Sequence, residues 1–232
     1  MNRLTIRNAR QGAEERPEIL LYGDVGIDWD GFSAEQCAQA LNSIGRVPAI
    51  GVRVNSMGGD VAQGFAIYNL LRSNGAKIIV NVDGMALSSA ATICMAGDQI
   101  LMAQNASMMI HKPATFCYGE APELRKQADV LDLLQQQIAG VYAARSGKSV
   151  DEINVLLDAE TWLTAEEAKE MNLATEVIPN KGADAGAENR IPAGRFKNAP
   201  QRLLAAPGEG DARAPWRRNL ARRRLDLLQR AH

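Results

Sequence analysis

Short apolar runs alternate with amphipathic stretches along most of this chain. Glu18-Ile19-Leu20-Leu21-Tyr22 reads as a strand ended by Gly23-Asp24. Ser33-Ala34-Glu35-Gln36 is a capping-box spelling that opens a helix to about Ile44, closed by Gly45. Val47–Asn55 contains the next strand, followed by the glycine-rich turn Asn55-Ser56-Met57-Gly58-Gly59-Asp60. Val61–Ser73 has helical spacing, with Ala62, Phe65, Ala66, Asn69 and Leu70 as the inward stripe, and Asn74-Gly75 ends it. Lys77–Val82 is a continuous apolar run, hence a buried strand, which Asp83-Gly84 is expected to break. A helix then runs from the serines at 88 and 89 to Gly97.

Gln99–Ala103 and Ala106–His111 follow as short strands, the second stopped by Pro113. Glu120–Arg145 is a long helix, with Leu124, Val130, Leu131, Leu134, Ile138 and Val141 mostly on one face. Ser149-Val150-Asp151-Glu152 and Thr164-Ala165-Glu166-Glu167 open two shorter helices, to Leu157 and Met171, and Ala174–Ile178 is a last strand. Strands that are apolar throughout, alternating with helices, imply an α/β domain whose sheet is covered on both faces. The domain spans 18–179, between an N-terminal segment 1–17 and a Gly/Ala/Pro/Arg-rich tail 180–232 read as flexible.

Charge sharpens this division. Residues 181–232 hold 12 Lys/Arg against 5 Asp/Glu, whereas residues 1–180 hold 14 against 22, so an acidic body carries a basic tail. Within that tail Trp216–Arg230 could form a basic amphipathic helix; a solvated charged run is the simpler reading, and docking to an acidic partner or nonspecific nucleic-acid contact the sharper ones. No apolar run reaches the ~18 residues of a membrane span, and the start has no apolar signal core. Cys37, Cys94 and Cys117 lack metal or disulfide spacing and read as small buried hydrophobes in a reducing, cytoplasmic setting. Of two histidines, His232 is the last residue given, which leaves His111 as the neutral-pH base for any acid–base chemistry.

Ser88 and Ser89 sit where a strand gives way to a helix N-terminus, a place whose unpaired N–H groups favour an oxyanion. Taken alone the stretch reads first as a serine N-cap on a core helix. Gly58-Gly59 is a turn able to bring backbone N–H groups into a cleft, His111 ends a strand beside a proline, and Asp158-Ala159-Glu160-Thr161-Trp162 supplies carboxylates. Each has a bland reading: a helix-entry turn, a structural histidine, a solvated loop. Serine, histidine, acid and glycine turn together satisfy the logic of acyl transfer.

In order and wording, residues from about 18 to 178 resemble the proteolytic subunit of the Clp protease (ClpP) and its phage relatives, the head maturation (prohead) peptidases. Asn55-Ser56-Met57-Gly58-Gly59 matches the family's N-S-P-G-G turn with Met57 in place of proline. Gly84–Ala91 matches G-x-A-A-S-M-G-A, Met109-Ile110-His111-Lys112-Pro113 matches M-I-H-x-P, and Thr161–Ala168 matches F-M-S-A-E-E-A. The resemblance implies Ser88 as nucleophile, His111 as base, Glu160 where the family has aspartate (with Asp158 as the alternative acid), and the N–H groups of Gly59 and Ser89 as oxyanion hole. It implies the crotonase-like β/β/α superhelix with a protruding handle helix, a ring-forming homo-oligomer, a polypeptide substrate gripped by the turn after Gly59 and the strand edge near Lys112–Thr115, and no metal or organic cofactor.

The Glu-Thr-Trp spelling at 160–162, the Arg-rich tail and the length resemble the phage branch, which implies scaffold or capsid precursors as substrates. A housekeeping subunit working with an ATP-dependent (AAA+) unfoldase and a catalytically idle assembly protein of the same fold are the alternatives. An acyl-CoA enzyme of the crotonase type and a Ser–Lys dyad using Lys112 or Lys77 are weaker ones.

Overall fold

Among the described residues (4–11, 14–26, 31–180, 191–192 and 194–204), the computed structural model alternates eight strands with six α-helices. Contacts divide the chain into two units, residues 1–111 with 138–187 and residues 112–137 with 188–232. The first contains β1 (Leu4–Gln11), β2 (Glu14–Tyr22), α1 (Ala34–Ile44), β3 (Ala49–Ser56), α2 (Val61–Arg72), β4 (Lys77–Leu87), α3 (Ser89–Cys94), β5 (Gln99–Ala103) and β6 (Ser107–Ile110). After α4 (Ala121–Ser146), which begins in the second unit and ends in the first, come α5 (Val150–Asp158), β7 (Thr161–Thr164), α6 (Ala165–Glu170) and β8 (Glu176–Ile178).

The strands form one sheet in the order β1-β2-β3-β4-β5-β8, with β6 pairing β4 and β7 pairing β6. Parallel pairing runs from β2 through β3 and β4 to β5 and β8, and hairpin-like antiparallel pairing joins β1 to β2. Ile19 and Leu21, Ile50, Val52 and Val54, Ile78, Val80 and Val82, and Ile100 and Met102 share a core with Ile67, Leu71 and Ile93 of the helices. Burial of each such side chain contributes ~1.5–3 kcal/mol relative to exposure. The helix starts follow the expected chemistry. Ser33, Ser149 and Thr164 each cap an N-terminus, with Gln36, Glu152 and Glu167 returning the bond.

Four expectations are corrected. Asp83-Gly84 does not end the strand: β4 continues to Leu87 and exchanges one neighbour for another. The fully buried residues of α2 are Gly64, Ile67 and Leu71; of the expected stripe Phe65 and Leu70 pack partly buried against the core while Ala62 and Asn69 are exposed, and Gly64 lies against Ser89 of α3. The solvated-loop reading of the acidic segment 158–162 fits only Asp158 and Ala159, which are exposed; Glu160 is buried and Thr161 starts β7. Cys117 is exposed, unlike Cys37 and Cys94, because it falls in the irregular stretch after Pro113, outside every core-facing element.

The segment 1–17 supplies β1 and the start of β2, which extend the sheet. Of the tail, 191–204 is described in part: Ile191 bridges Leu204 around a 3₁₀ turn at Gln201–Leu203. Trp216–Arg230 lies outside the described residues. No described helix is long and apolar enough to cross a membrane.

Burial pushes the thiols of Cys37 and Cys94 up to about 12. At pH 8 only ~10⁻⁴ of each is thiolate, the reactive form. A thiol titration of the native protein at pH 8 should therefore find Cys117 reacting promptly and the other two only after denaturant is added; three fast thiols would contradict this packing.

Candidate active site

The site begins with the change of partner along β4. As far as Val82, β4 pairs β5, ending at Val82↔Met102; from Met85 it pairs β6, at Met85↔Ser107, Ala86↔Met108 and Leu87↔Met109. On the other edge the register with β3 jumps from Val54↔Val82 to Ser56↔Ala86, a bulge that takes up Asp83, Gly84 and Met85. The bulge bends β4 so that its end runs beside the end of β6. Ser88 follows one strand and His111 the other. The Ser88 N–H donates to Met109 O at 2.9 Å, and the Ser88 hydroxyl lies 2.8 Å from His111 Nε2. With the imidazole protonated on Nδ1, that hydroxyl is the donor and Nε2 the acceptor, the arrangement a general base needs.

Ser88 stands at the N-cap position of α3, yet its side chain makes no cap hydrogen bond. Its backbone is at φ 56, ψ −128. The N-cap reading, the simplest one for this serine, is therefore replaced by a strained strand-to-helix turn whose hydroxyl faces a histidine. Among the described residues three non-glycines have positive φ: Ser88, Glu160 and Asn172. Asn172 follows the end of α6, where asparagine in the left-handed region is an ordinary helix terminator. The other two are the nucleophile and acid candidates.

Glu160 is 8% exposed, lies between α5 and β7, and accepts a hydrogen bond from Trp162 Nε1 at 3.3 Å. β6 and β7 are antiparallel, with Ser107↔Thr164 through Ile110↔Thr161 in register. His111 directly follows β6 and Glu160 directly precedes β7, so both lie at the same end of this pair. Asp158, the other acid considered, ends α5 and is exposed. Lys77 starts β4 and Ser88 follows its eleventh residue, so roughly 30 Å of strand separates them and Lys77 cannot serve as the base.

The glycine turn closes the site. Gly58 has φ 80, and a Cβ there would lie 2.5 Å from Leu87 O and 2.7 Å from Ser88 Cβ, so only glycine lets the turn pass this close to the serine. Gly59 forms a bridge with Val25, in which Val25 N–H donates to Gly58 O at 3.0 Å and Asp60 N–H to Val25 O at 2.8 Å. In a parallel bridge of that kind the N–H of Gly59 itself points to the opposite side. The Ser89 N–H opens α3 and, as the first helical amide, has no intrahelical acceptor. The Ser89 hydroxyl is buried without a hydrogen-bond partner. α3 is fixed from below by Tyr142, whose hydroxyl is 3.1 Å from Thr92 Oγ1. Among the described residues no group of His, Cys, Asp and Glu could hold a metal ion.

The sequence of residues 19–181 matches the Clp protease family model. The chain belongs to the Clp protease family. Its fold is ClpP-like: a ClpP1 mutant from Listeria monocytogenes superposes with a TM-score of 0.62 at 26% identity, over 71% of this chain and 92% of that one. Members of the Clp protease family are peptidases, ClpP being a serine peptidase that generally assembles in rings. The bulge in β4 is the feature of this site that sequence reasoning missed; a glycine inside an apolar strand, here Gly84, is its usual mark.

Gly58→Ala should cost at least ~2 kcal/mol of stability, from backbone strain and the clash with Leu87 and Ser88. Gly45→Ala, also at positive φ but with nothing within 4 Å, should cost about 1 kcal/mol. Denaturant unfolding of the two variants checks the difference; equal losses would mean that the turn is not packed on the serine.

Proposed function

We propose that the chain is a serine endopeptidase of the ClpP type with Ser88 as nucleophile, His111 as general base and acid, and Glu160 as the group that orients His111. The observation that carries this is the 2.8 Å contact between the Ser88 hydroxyl and His111 Nε2 at a strained turn. Ser88 Oγ attacks the peptide carbonyl carbon while His111 Nε2 takes its proton. The N–H groups of Gly59 and Ser89 stabilise the resulting oxyanion, each such donor being worth ~3 kcal/mol in the transition state. The C–N bond then breaks, and the amine leaves with the proton from His111. Water, activated by the same nitrogen, releases the acyl group and restores Ser88. Glu160 holds the tautomer with hydrogen on Nδ1 and stabilises the imidazolium, work that a carboxylate one methylene longer than aspartate can do from the same end of the β6–β7 pair as His111.

The substrates in this reading are polypeptides, and the active form is a homo-oligomeric ring. The basic segment 181–232, carrying 12 Lys/Arg against 5 Asp/Glu, suits the phage head maturation branch, in which it docks an acidic scaffold or capsid precursor.

Fluorophosphonate labelling followed by peptide mapping tests the chemistry. The label should fall on Ser88, disappear in Ser88→Ala, and slow by up to ~10⁴-fold in Glu160→Gln while Glu160→Asp keeps most of the rate. A folded, assembled protein that takes no label would favour the idle assembly protein, and undiminished labelling of Glu160→Gln would remove that residue from the site. For the branch, cleavage of an unfolded acidic polypeptide should exceed that of a basic one, and the preference should fade as salt is raised. Equal cleavage of both at low salt would count against the docking role of the tail.

A further inference from the structure

The sheet carries a charged cluster on the face turned away from Val52, Val54, Val80 and Val82. Asp83 is at its centre. Its Oδ2 accepts from Tyr22 Oη of β2 at 2.7 Å and from Arg53 Nε of β3 at 2.8 Å, and its Oδ1 accepts from Arg53 Nη2. The Arg53 and Asp83 side chains are 30% and 19% exposed, so the fork is partly withdrawn from water. Two-point pairing of this kind is among the stronger charge-assisted contacts and fixes direction as well as distance. Two residues on, the Met85 N–H donates to Asn55 Oδ1 at 3.1 Å, while Asn55 O accepts from Gly23 N at 3.1 Å.

The bonds to Asp83 and Met85 fall on one short stretch, the bulge at which β4 leaves β5 for β6. A bulge leaves ladder groups unpaired and is free to slide or straighten unless something else holds it. We propose that Asp83, gripped by Arg53 and Tyr22, and with Asn55 holding Met85, is a positioning residue for Ser88: the clamp sets where β4 bends and thereby the alignment of the nucleophile with His111. This rests on the peptidase reading above. Met85, Ala86 and Leu87, the residues between the clamp and Ser88, are all buried and all paired with β6. The segment has no slack to absorb a shift at Asp83, and a misplacement of about 1 Å at a reacting atom can lower a rate 10²-fold. None of the clamp residues takes part in the proton transfers, so their effect on rate comes through the placement of other groups, of which Ser88 is the one that β4 carries directly. Burial and the Asp83 carboxylate push the Tyr22 hydroxyl up to about 12, which keeps it a donor throughout the usual assay range.

The test compares fluorophosphonate inactivation of the full-length wild type with Asp83→Leu, Arg53→Met and their double variant, at a temperature where circular dichroism shows each folded. The maximal inactivation rate should fall about tenfold or more in both single variants, with the half-saturating reagent concentration moving less than about twofold. The double variant should be no slower than the slower single one, the mark of a shared interaction. Arg53→Lys, which cannot make the two-point fork, should lose about fivefold or more, and Tyr22→Phe, which removes one donor of three, should lose about two- to threefold.

If the two larger substitutions prevent folding, Arg53→Lys and Tyr22→Phe decide by their order: Tyr22→Phe slowed with its melting temperature within a few degrees of wild type supports the clamp. Maximal rates equal to wild type in every folded variant, whatever their melting temperatures, would reduce the cluster to a stabilising contact and overturn the inference. A wild type that takes no label on Ser88 removes the peptidase reading and the clamp together, whereas a labelled wild type with indifferent variants removes the clamp alone.

Discussion

Everything in the site depends on β4 being shared between two neighbours. A strand that paired β5 along its whole length would carry Ser88 away from β6, and His111 would have no partner. By leaving β5 after Val82 and meeting β6 at Met85, the strand places two chain ends side by side. The backbone bond from Ser88 N–H to Met109 O then locks Ser88 within reach of the histidine two residues further on. That bond also decides which amides remain for an oxyanion. The Ser88 N–H is spent in the ladder, so the next one, at Ser89, becomes the first donor available at the start of α3. α3 itself is short and buried throughout, and it owes its place to Gly64 of α2, which admits Ser89, and to the Thr92–Tyr142 contact.

The elements that could be read from the sequence are those whose signals are local. Capping pairs three residues apart, Ser33 with Gln36, Ser149 with Glu152 and Thr164 with Glu167, need nothing but their own turn, and the structure forms all three. The short apolar-rich runs at 50–54, 77–82 and 99–103 read as strands, and all three lie in the sheet. The missed features are set by distant partners. β7 has four residues, of which Leu163 alone is buried, and it exists because β6 offers it an antiparallel edge. Gly64, the residue of α2 that meets Ser89, is inward for its smallness rather than its hydrophobicity, so apolar spacing does not mark it. The break expected at Asp83-Gly84 follows the ordinary rule for that dipeptide; Arg53 and Tyr22, from two other strands, turn the break into a bulge.

The candidate site was legible for a different reason. No single residue marked it: a serine before a small-residue helix is usually a cap, and a lone histidine is usually structural. What carried the reading was the family resemblance of four motifs in order, and the residues it selected lie at the junctions the fold creates. Ser88 and His111 are brought together at hydrogen-bond distance. Glu160 stands one residue before β7 and His111 one residue after β6, at the same end of that antiparallel pair. The sequence left Asp158 beside Glu160 as a choice of acid, and topology separates them: one ends a helix in solvent, while the other is buried one step before a strand that pairs with the histidine's own.

Strain falls in the same places. Ser88 and Glu160 hold positive φ without being glycine, which costs of order 1–3 kcal/mol each, and neither position is repaid by a local motif as Asn172 is at its helix end. Such conformations persist only where the surroundings over-determine them. At Ser88 the surroundings are the Met109 carbonyl, the Gly58 turn packed on its Cβ, and the first turn of α3; at Glu160 they are the end of α5, the Trp162 indole and the start of β7. In both cases the strain holds a candidate side chain at the end of a strand rather than along it, where it would alternate into the core or away from it. A relaxed backbone at 88 would return the serine to its ordinary occupation as a helix cap, with its hydroxyl turned to the N–H groups of α3. The strained one turns it to His111 and leaves those N–H groups uncapped by the serine, so the cost in stability falls on the two residues whose side chains the proposed chemistry needs free of their local backbone.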